Sequence, residues 1–349
     1  MLDRLARVDP TDRPFLSLYV DKRPDNTGRQ HWAPIVRKEV NERARSFGER
    51  TAARAAYEAD AARALTWLES TPPSAPGVAV FACEAAGVFE GVELEAPVET
   101  ELVVGRGPHL YPLARLLDQW RRYAVVVADT RHARVFVVAL GTIRARGEIE
   151  SDKVKHQAQG GWAQARYQRH VENFQREHVK ELVELLERVV REEEIERVLL
   201  ATDEVALPMI RDALPKMLAE RVVEISGLDL TSSEAEILNE TLEIAHREDE
   251  RDDAERLGRA LDAYRAGGLG MIGVAGVMAA LDNGQVHELF LVADPSRLEG
   301  QDGVATAATL VTKARQTAAR VSFLDDAALL AEAGGVAARL RFRLQKRAA

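Results

Sequence analysis

The chain has 349 residues, which at roughly 150 residues per domain makes two or three domains. Its 47 Lys and Arg stand against 56 Asp and Glu, a net charge of −9, which argues against a surface that binds nucleic acid all over. Apolar residues make up 46% and charged residues 30%, enough to bury a sizeable core, and the one cysteine, Cys83, excludes an internal disulfide framework or a Cys-rich zinc ribbon and suits a reducing cytoplasm.

The first residues lack the apolar stretch of an export signal. The longest uncharged run, 266–281, contains five glycines and falls short of the ~20 residues that span a bilayer. A soluble cytoplasmic protein with no membrane partner is the expectation.

The first segment reads as mixed α/β. Residues 15–20 alternate and are β-rich, so they predict a strand. Residues 35–70 are rich in Ala, Arg and Glu and predict one or two helices, which Pro72, Pro73, Pro76 and Gly77 end. Residues 78–83 and 87–92 predict a β-hairpin. Gly105, Gly107, Pro108 and Pro112 predict a loop and a boundary.

The second segment opens with apolar strands at 123–129 and 134–140, and a third is expected at 148–155. A polar loop over 156–165 follows. A helix from about 167 to 194 carries Phe174, Val179, Leu182, Leu186 and Val189 as one apolar stripe. A strand at 197–201, a helix at 208–220 and a strand at 222–225 complete a sheet with helices on it.

The third segment starts near Ser232-Ser233-Glu234, a helix-start pattern. Residues 231–256 hold ten acids and three arginines, most of the negative excess of the chain. A glycine-rich turn at 267–273, a helix at 274–281 and a strand at 288–293 follow. Then come a loop around 295–303, a helix, a strand at 320–323, another helix, Gly334-Gly335 and a last strand at 337–344.

The window 153–171 stands out. It holds Lys153, Lys155, Arg166 and Arg169, two histidines and no acid. Cations, amide donors and an adjacent helix start suit phosphate. Gly160-Gly161 permits backbone shapes closed to other residues and close approach of a ligand. Trp162 suits stacking on a base, or packing on its own domain. The net charge is therefore a sum over an acidic helix and a basic loop, and RNA contact is expected to be local.

Other candidates have plainer readings. Gly268, Gly270 and Gly273 satisfy GxGxxG, but a charged helix stands where a strand should precede them, so a glycine turn before a packed helix is expected. Asp129 and Asp203 each follow an apolar strand. They suit Mg²⁺ in a nuclease, or a turn and a helix cap. His156 and His170 suit proton transfer or phosphate contact. Cys83 reads as core, and the acidic helix as a solvated face.

The window 153–171 resembles the catalytic loop of archaeal and eukaryotic peptide-release factors. Lys155-His156, Gly160-Gly161 and Arg166-Tyr167-x-Arg169 fall at matching spacing. Residues 276–292 and 334–343 look like the third domain of that family. The resemblance covers roughly 118–349 and is nearest to the bacterial branch of the release-factor and Pelota-like superfamily.

The residues read as an α/β chain of three domains: an N-terminal α+β domain (1–115), a middle domain with the Gly-Gly loop (118–228), and a C-terminal α/β sandwich (231–349). The resemblance implies an RNase-H-like fold for the middle domain. It implies a translation-associated protein that binds the ribosome and brings the loop to the acceptor end of a tRNA, with a translational GTPase as a partner and no cofactor. If the loop is catalytic, it hydrolyses the peptidyl-tRNA ester: Gly160 and Gly161 admit the backbone, Gln164 orients water, and Lys153, Lys155, His156, Trp162, Arg166, Tyr167 and Arg169 bind RNA. The chain departs from the family at Trp162, which stands where the catalytic Gln is expected; indole only donates. The alternative is a non-catalytic rescue or hibernation factor in the ribosomal A site. A metal-dependent nuclease is the third reading.

Overall fold

The computed structural model describes residues 1–8, 12–72, 75–150, 162–300 and 302–343, and for 162–172 the backbone alone. Contacts divide the chain into two compact units, 1–119 with 250–349, and 120–249. Three sheets organise them.

In the first unit, α1 (Leu2–Ala6) precedes β1 (Phe15–Asp21), and α2 (Trp32–Arg45) and α3 (Ala52–Ser70) lead into β2 (Gly77–Cys83), β3 (Val88–Leu94) and β4 (Glu101–Gly105). The sheet is fully antiparallel in the order β3-β2-β1-β4. Strand pleat sends Leu16, Leu18, Val20, Val78, Val80 and Ala82 to one face, where Val36, Val40, Tyr57, Ala61 and Leu68 of α2 and α3 cover them. Thr51 caps α3 by accepting the Arg54 N–H at 3.2 Å. At the other end the buried Lys22 Nζ donates to the Leu68 and Thr71 carbonyls at 3.3 and 2.9 Å, a cation on the negative end of the helix.

Two elements of this segment differ from expectation. β4 is a five-residue edge strand of half-buried residues, too short and too weakly alternating to signal itself. The expected loop at Pro112 is α4 (Tyr111–Gln119). Proline in the first helical turn removes an N–H that has no partner there anyway, so it marks a start as readily as a break.

The second unit holds β5 (Tyr123–Ala128), β6 (His132–Ala139), β7 (Thr142–Glu150), α5 (Trp162–Glu192), β8 (Arg197–Thr202), α6 (Ala206–Ala213), α7 (Lys216–Ala219), β9 (Val222–Ile225) and the start of α8 (Glu234–Arg265). The sheet order is β7-β6-β5-β8-β9. β5, β6 and β7 pair antiparallel, and β8 and β9 run parallel to β5. This is the RNase-H-like arrangement. Ala124 and Val126 face Val179, Leu182 and Leu186 of α5. Val125 and Val127 face the other way, against Ile237 and Ala245 of α8.

The third strand begins at 142, ahead of the expected 148, because Leu140 and Gly141 both take positive φ and turn the chain at once; it runs to 150, and the remainder of the expected strand, 151–155, lies outside the described residues. The helix expected at 208–220 is two, divided at Pro215. The start of α8 is a capping box: the Ser233 N–H donates to Glu236 Oε2 at 2.7 Å, and the Glu236 N–H to Ser233 Oγ at 3.3 Å.

The carboxyl-terminal part of the first unit adds β10 (Gly270–Ile272), α9 (Val274–Asp282), β11 (Val286–Val292), α10 (Gly303–Gln316), β12 (Arg320–Leu324) and β13 (Val336–Leu340). Their order is β10-β13-β11-β12, with β11 and β12 parallel and β13 antiparallel to both neighbours. A Cβ at Gly270 would run into α8 at Ala260 and Tyr264, whereas the adjacent Met271 lies against Gly276 of α9. Consecutive strand residues point to opposite faces, so α8 and α9 sandwich the sheet. The chain is thus α/β, with a C-terminal sandwich. Where a glycine turn is expected over 267–273, Gly270 instead opens the strand β10 and lets α8 approach it, while Gly273, at φ 77°, precedes α9 as its cap. Cys83 is fully buried in β2.

Candidate nucleic-acid interface

Strand register gathers the candidate residues at one end of the second-unit sheet. Ala128 pairs with Thr202, so Asp129 and Asp203 follow on neighbouring parallel strands. His132 pairs with Glu150, the last residue of β7. The segment 151–161 therefore leaves from beside the 129–132 turn, and α5 begins at Trp162.

Lys153, Lys155, His156, Gly160 and Gly161 lie outside the described residues. Trp162, Gln164, Arg166, Tyr167 and Arg169 are all on α5. The helix starts about a turn earlier than the expected 167, and Gln164 lies in its first turn instead of in a loop. Ala163, Gln164, Ala165 and Arg166 are good helix formers, so they continue the helix toward its start.

Asp129 and Asp203 are neighbours, as a metal pair would be, but each is engaged in backbone. Asp129 Oδ1 accepts the N–H groups of Arg131 and His132 at 2.6 and 2.7 Å. Asp203 Oδ1 accepts those of Val205 and Ala206 at 2.9 and 2.7 Å, capping α6. These are the turn and cap roles. Partial burial raises the Asp129 pKa, but the two N–H bonds and His132 outweigh it and hold the carboxyl below its usual value.

His178 of α5 gave no signal as a site residue in the sequence. It is buried, and its ring hydrogen-bonds the backbone of His132 beside Asp129. Burial pushes its pKa down, against the carbonyl bond and the Asp129 and Glu181 charges. It is the first buried residue among those of α5 whose side chains are described. At 1.5 Å per residue, Trp162 lies about 24 Å along the helix from it. The contact pins α5 to the 129–132 turn. Four turns of helix precede that pin, at the end of the sheet where 151–161 departs.

Beside the pin, α5 and α6 enclose a groove of about 440 Å³, lined by Gln175, Arg176, Val179, Met209, Asp212 and Ala213. Among the described residues no helix is long and apolar enough to cross a membrane.

Residues 108–246 match the family described as bacterial archaeo-eukaryotic release factor family 10. Similar solved structures include the archaeal translation termination factor aRF1, at 18% identity over 98% of this chain and 96% of that one, with a TM-score of 0.28. Ribosome-bound archaeal Pelota, described together with ABCE1, is 13% identical over 99% and 95%, at 0.45. Dom34 of S. cerevisiae, a translation termination-like factor interacting with Hbs1, is 13% identical over 77% and 79%, at 0.45. Comparison with curated proteins finds no match. The similarity to the bacterial archaeo-eukaryotic release factors thus rests on residues 108–246.

Proposed function

We propose that the chain is a translation-associated, ribosome-binding factor that carries 151–161 and the first half of α5 to RNA at the acceptor end of a tRNA. The observation that carries this reading is the charge along α5. Its first half, 162–176, holds Arg166, Arg169, His170 and Arg176 against one acid, Glu172. Its second half, 177–192, holds Glu177, Glu181, Glu184, Glu187 and Glu192 against Lys180, Arg188 and Arg191.

A helix is stabilised by acids at its start and bases at its end. α5 is arranged the other way, so its charges add to the positive end of the dipole. That arrangement costs helix stability and creates a field suited to phosphate. The Lys153, Lys155 and His156 side of the segment adds to it in sequence. The family likeness supports translation as the setting and a translational GTPase as the delivering partner.

Within this reading, A-site occupancy without ester hydrolysis fits best. Trp162 stands in place of the family's Gln, and Gln164 is a first-turn helical residue. Two measurements test it. Ribosome co-sedimentation at low salt is expected for the parent and weakened in the double variant Arg166→Ala, Arg169→Ala; absence of ribosome binding by the parent overturns the reading. Peptide release from stalled ribosomes is expected at the buffer rate for the parent and for Gln164→Ala. Release by the parent that Gln164→Ala abolishes restores the hydrolase.

A further inference from the structure

We infer that the groove between α5 and α6 is a nucleobase pocket for single-stranded RNA lying along α5; this rests on the RNA-binding reading above and specifies how the strand is held. Two independent features point to it.

The first is a row of cations. At 3.6 residues per turn, positions 166, 169, 173, 176 and 180 fall within an arc of about 80° on α5. They are the four cations Arg166, Arg169, Arg176 and Lys180, with the neutral amide Asn173 among them. No acid shares the arc before Glu184, which pairs with Lys180 at 3.7 Å; Glu177 flanks it. The row runs about 21 Å from Arg166 to Lys180 along the axis. Single strands are bound by such a positive track along the backbone, joined to surfaces that take the bases.

The second is the groove where the row ends. Its volume, about 440 Å³, is in the range of small-ligand sites. Val179, Met209 and Ala213 give it an apolar lining, and Arg176, Gln175 and Asp212 carry polar groups. A guanidinium plane stacks on a base, and a thioether packs on it adaptably. The Gln175 amide both donates and accepts, which suits the edge of adenine. The Asp212 carboxylate accepts from an exocyclic amine, which adenine and cytosine carry in place of the carbonyl of uracil. Arg176 belongs to both features: it stands in the cation row and lines the pocket. The occupant is therefore one amine-bearing base, adenine best, of a strand whose phosphates follow Arg166 and Arg169.

The chain has five methionines, and Met209 alone lines the groove. The test uses the full chain with ¹³C-methyl methionine, titrated with an adenylate hexamer at low salt. The Met209 resonance, assigned with Met209→Leu, is expected to move upfield under the base ring, while Met271 and Met278 stay in place. Ala213→Trp, which fills the groove from an exposed position, is expected to weaken binding about tenfold and remove the shift; amide signals of β5 and β8, in the same unit, are expected to keep their parent positions and verify the fold. Asp212→Ala is expected to abolish the preference for adenylate over uridylate. A Met209 signal unmoved at RNA saturation, or Ala213→Trp binding as the parent does, overturns the pocket. So does a parent that binds ribosomes but not the hexamer, and that result leaves the proposed function standing. A parent that binds neither overturns both.

Discussion

Asp118 Oδ2 accepts the backbone N–H of Phe323 at 2.7 Å, across 205 positions of sequence. β12 is the edge strand of its sheet, so this N–H points away from the ladder. Tyr111, at the other end of α4, donates its hydroxyl to the Ala293 carbonyl at 2.6 Å and meets the Phe323 ring edge-on. α4 thus closes an edge that would otherwise offer itself to another strand. Asp118→Ala leaves a half-buried amide without its charged acceptor, a loss of about 1.5–3 kcal/mol. The Phe323 amide is expected to exchange with solvent faster in that variant, and Asp118→Asn to recover part of the protection. Unchanged exchange would show that the bond does not form in solution.

Gly91 and Trp67 make a second long-range pair. A Cβ at Gly91 of β3 would run into the Trp67 indole of α3. Gly91→Ala must push the indole away, at about 1–3 kcal/mol for overpacking. The melting temperature is expected to fall, and the double variant Gly91→Ala, Trp67→Leu to lose less than the sum of the two singles. Strict additivity would mean that the two side chains do not press on each other.

His109 sets a pH dependence. It is buried, with Tyr19 donating to its carbonyl at 2.7 Å, and burial pushes its pKa down to about 4. The imidazole is neutral in the fold and protonates near pH 6.5 when unfolded. Between these values the unfolded chain binds the extra proton, so stability is complete above about pH 6.5 and falls as pH falls toward 4. The loss reaches about 3 kcal/mol at 1.36 kcal/mol per unit. His109→Gln is expected to flatten denaturant midpoints between pH 7 and pH 4.5 relative to the parent. A parent and variant with the same slope would assign the window to other groups.

These pairs also mark where the sequence was legible. β-rich, largely apolar residues in 15–20, 123–129 and 197–201 located β1, β5 and β8, because each is buried on both faces. β4 and α4 escaped, since their signals are a half-buried edge and a proline whose missing N–H costs nothing at a helix start. At the site, the glycine pair and the cations were visible as composition. His178 was not, because a histidine among the apolar positions of an amphipathic helix looks like any core residue until the 129–132 turn is brought to it. The cation row was hidden by starting the helix at 167; only a helix continuous from Trp162 puts Arg166, Arg169 and Arg176 on one face.

That row predicts a salt signature. Each phosphate contact on a single strand contributes about −0.7 to the slope of log K against log salt. Arg166→Ala and Arg169→Ala are each expected to reduce the magnitude of the slope by about that amount for a short oligonucleotide, with affinity falling for every base sequence alike. Arg176→Ala is expected to do so as well and also to narrow the preference for adenylate over uridylate, because its guanidinium lines the pocket. Anisotropy titrations at several salt concentrations separate the two effects. Slopes unchanged in all three variants would place the phosphates elsewhere on the surface and leave the inverted charge of α5 without a function.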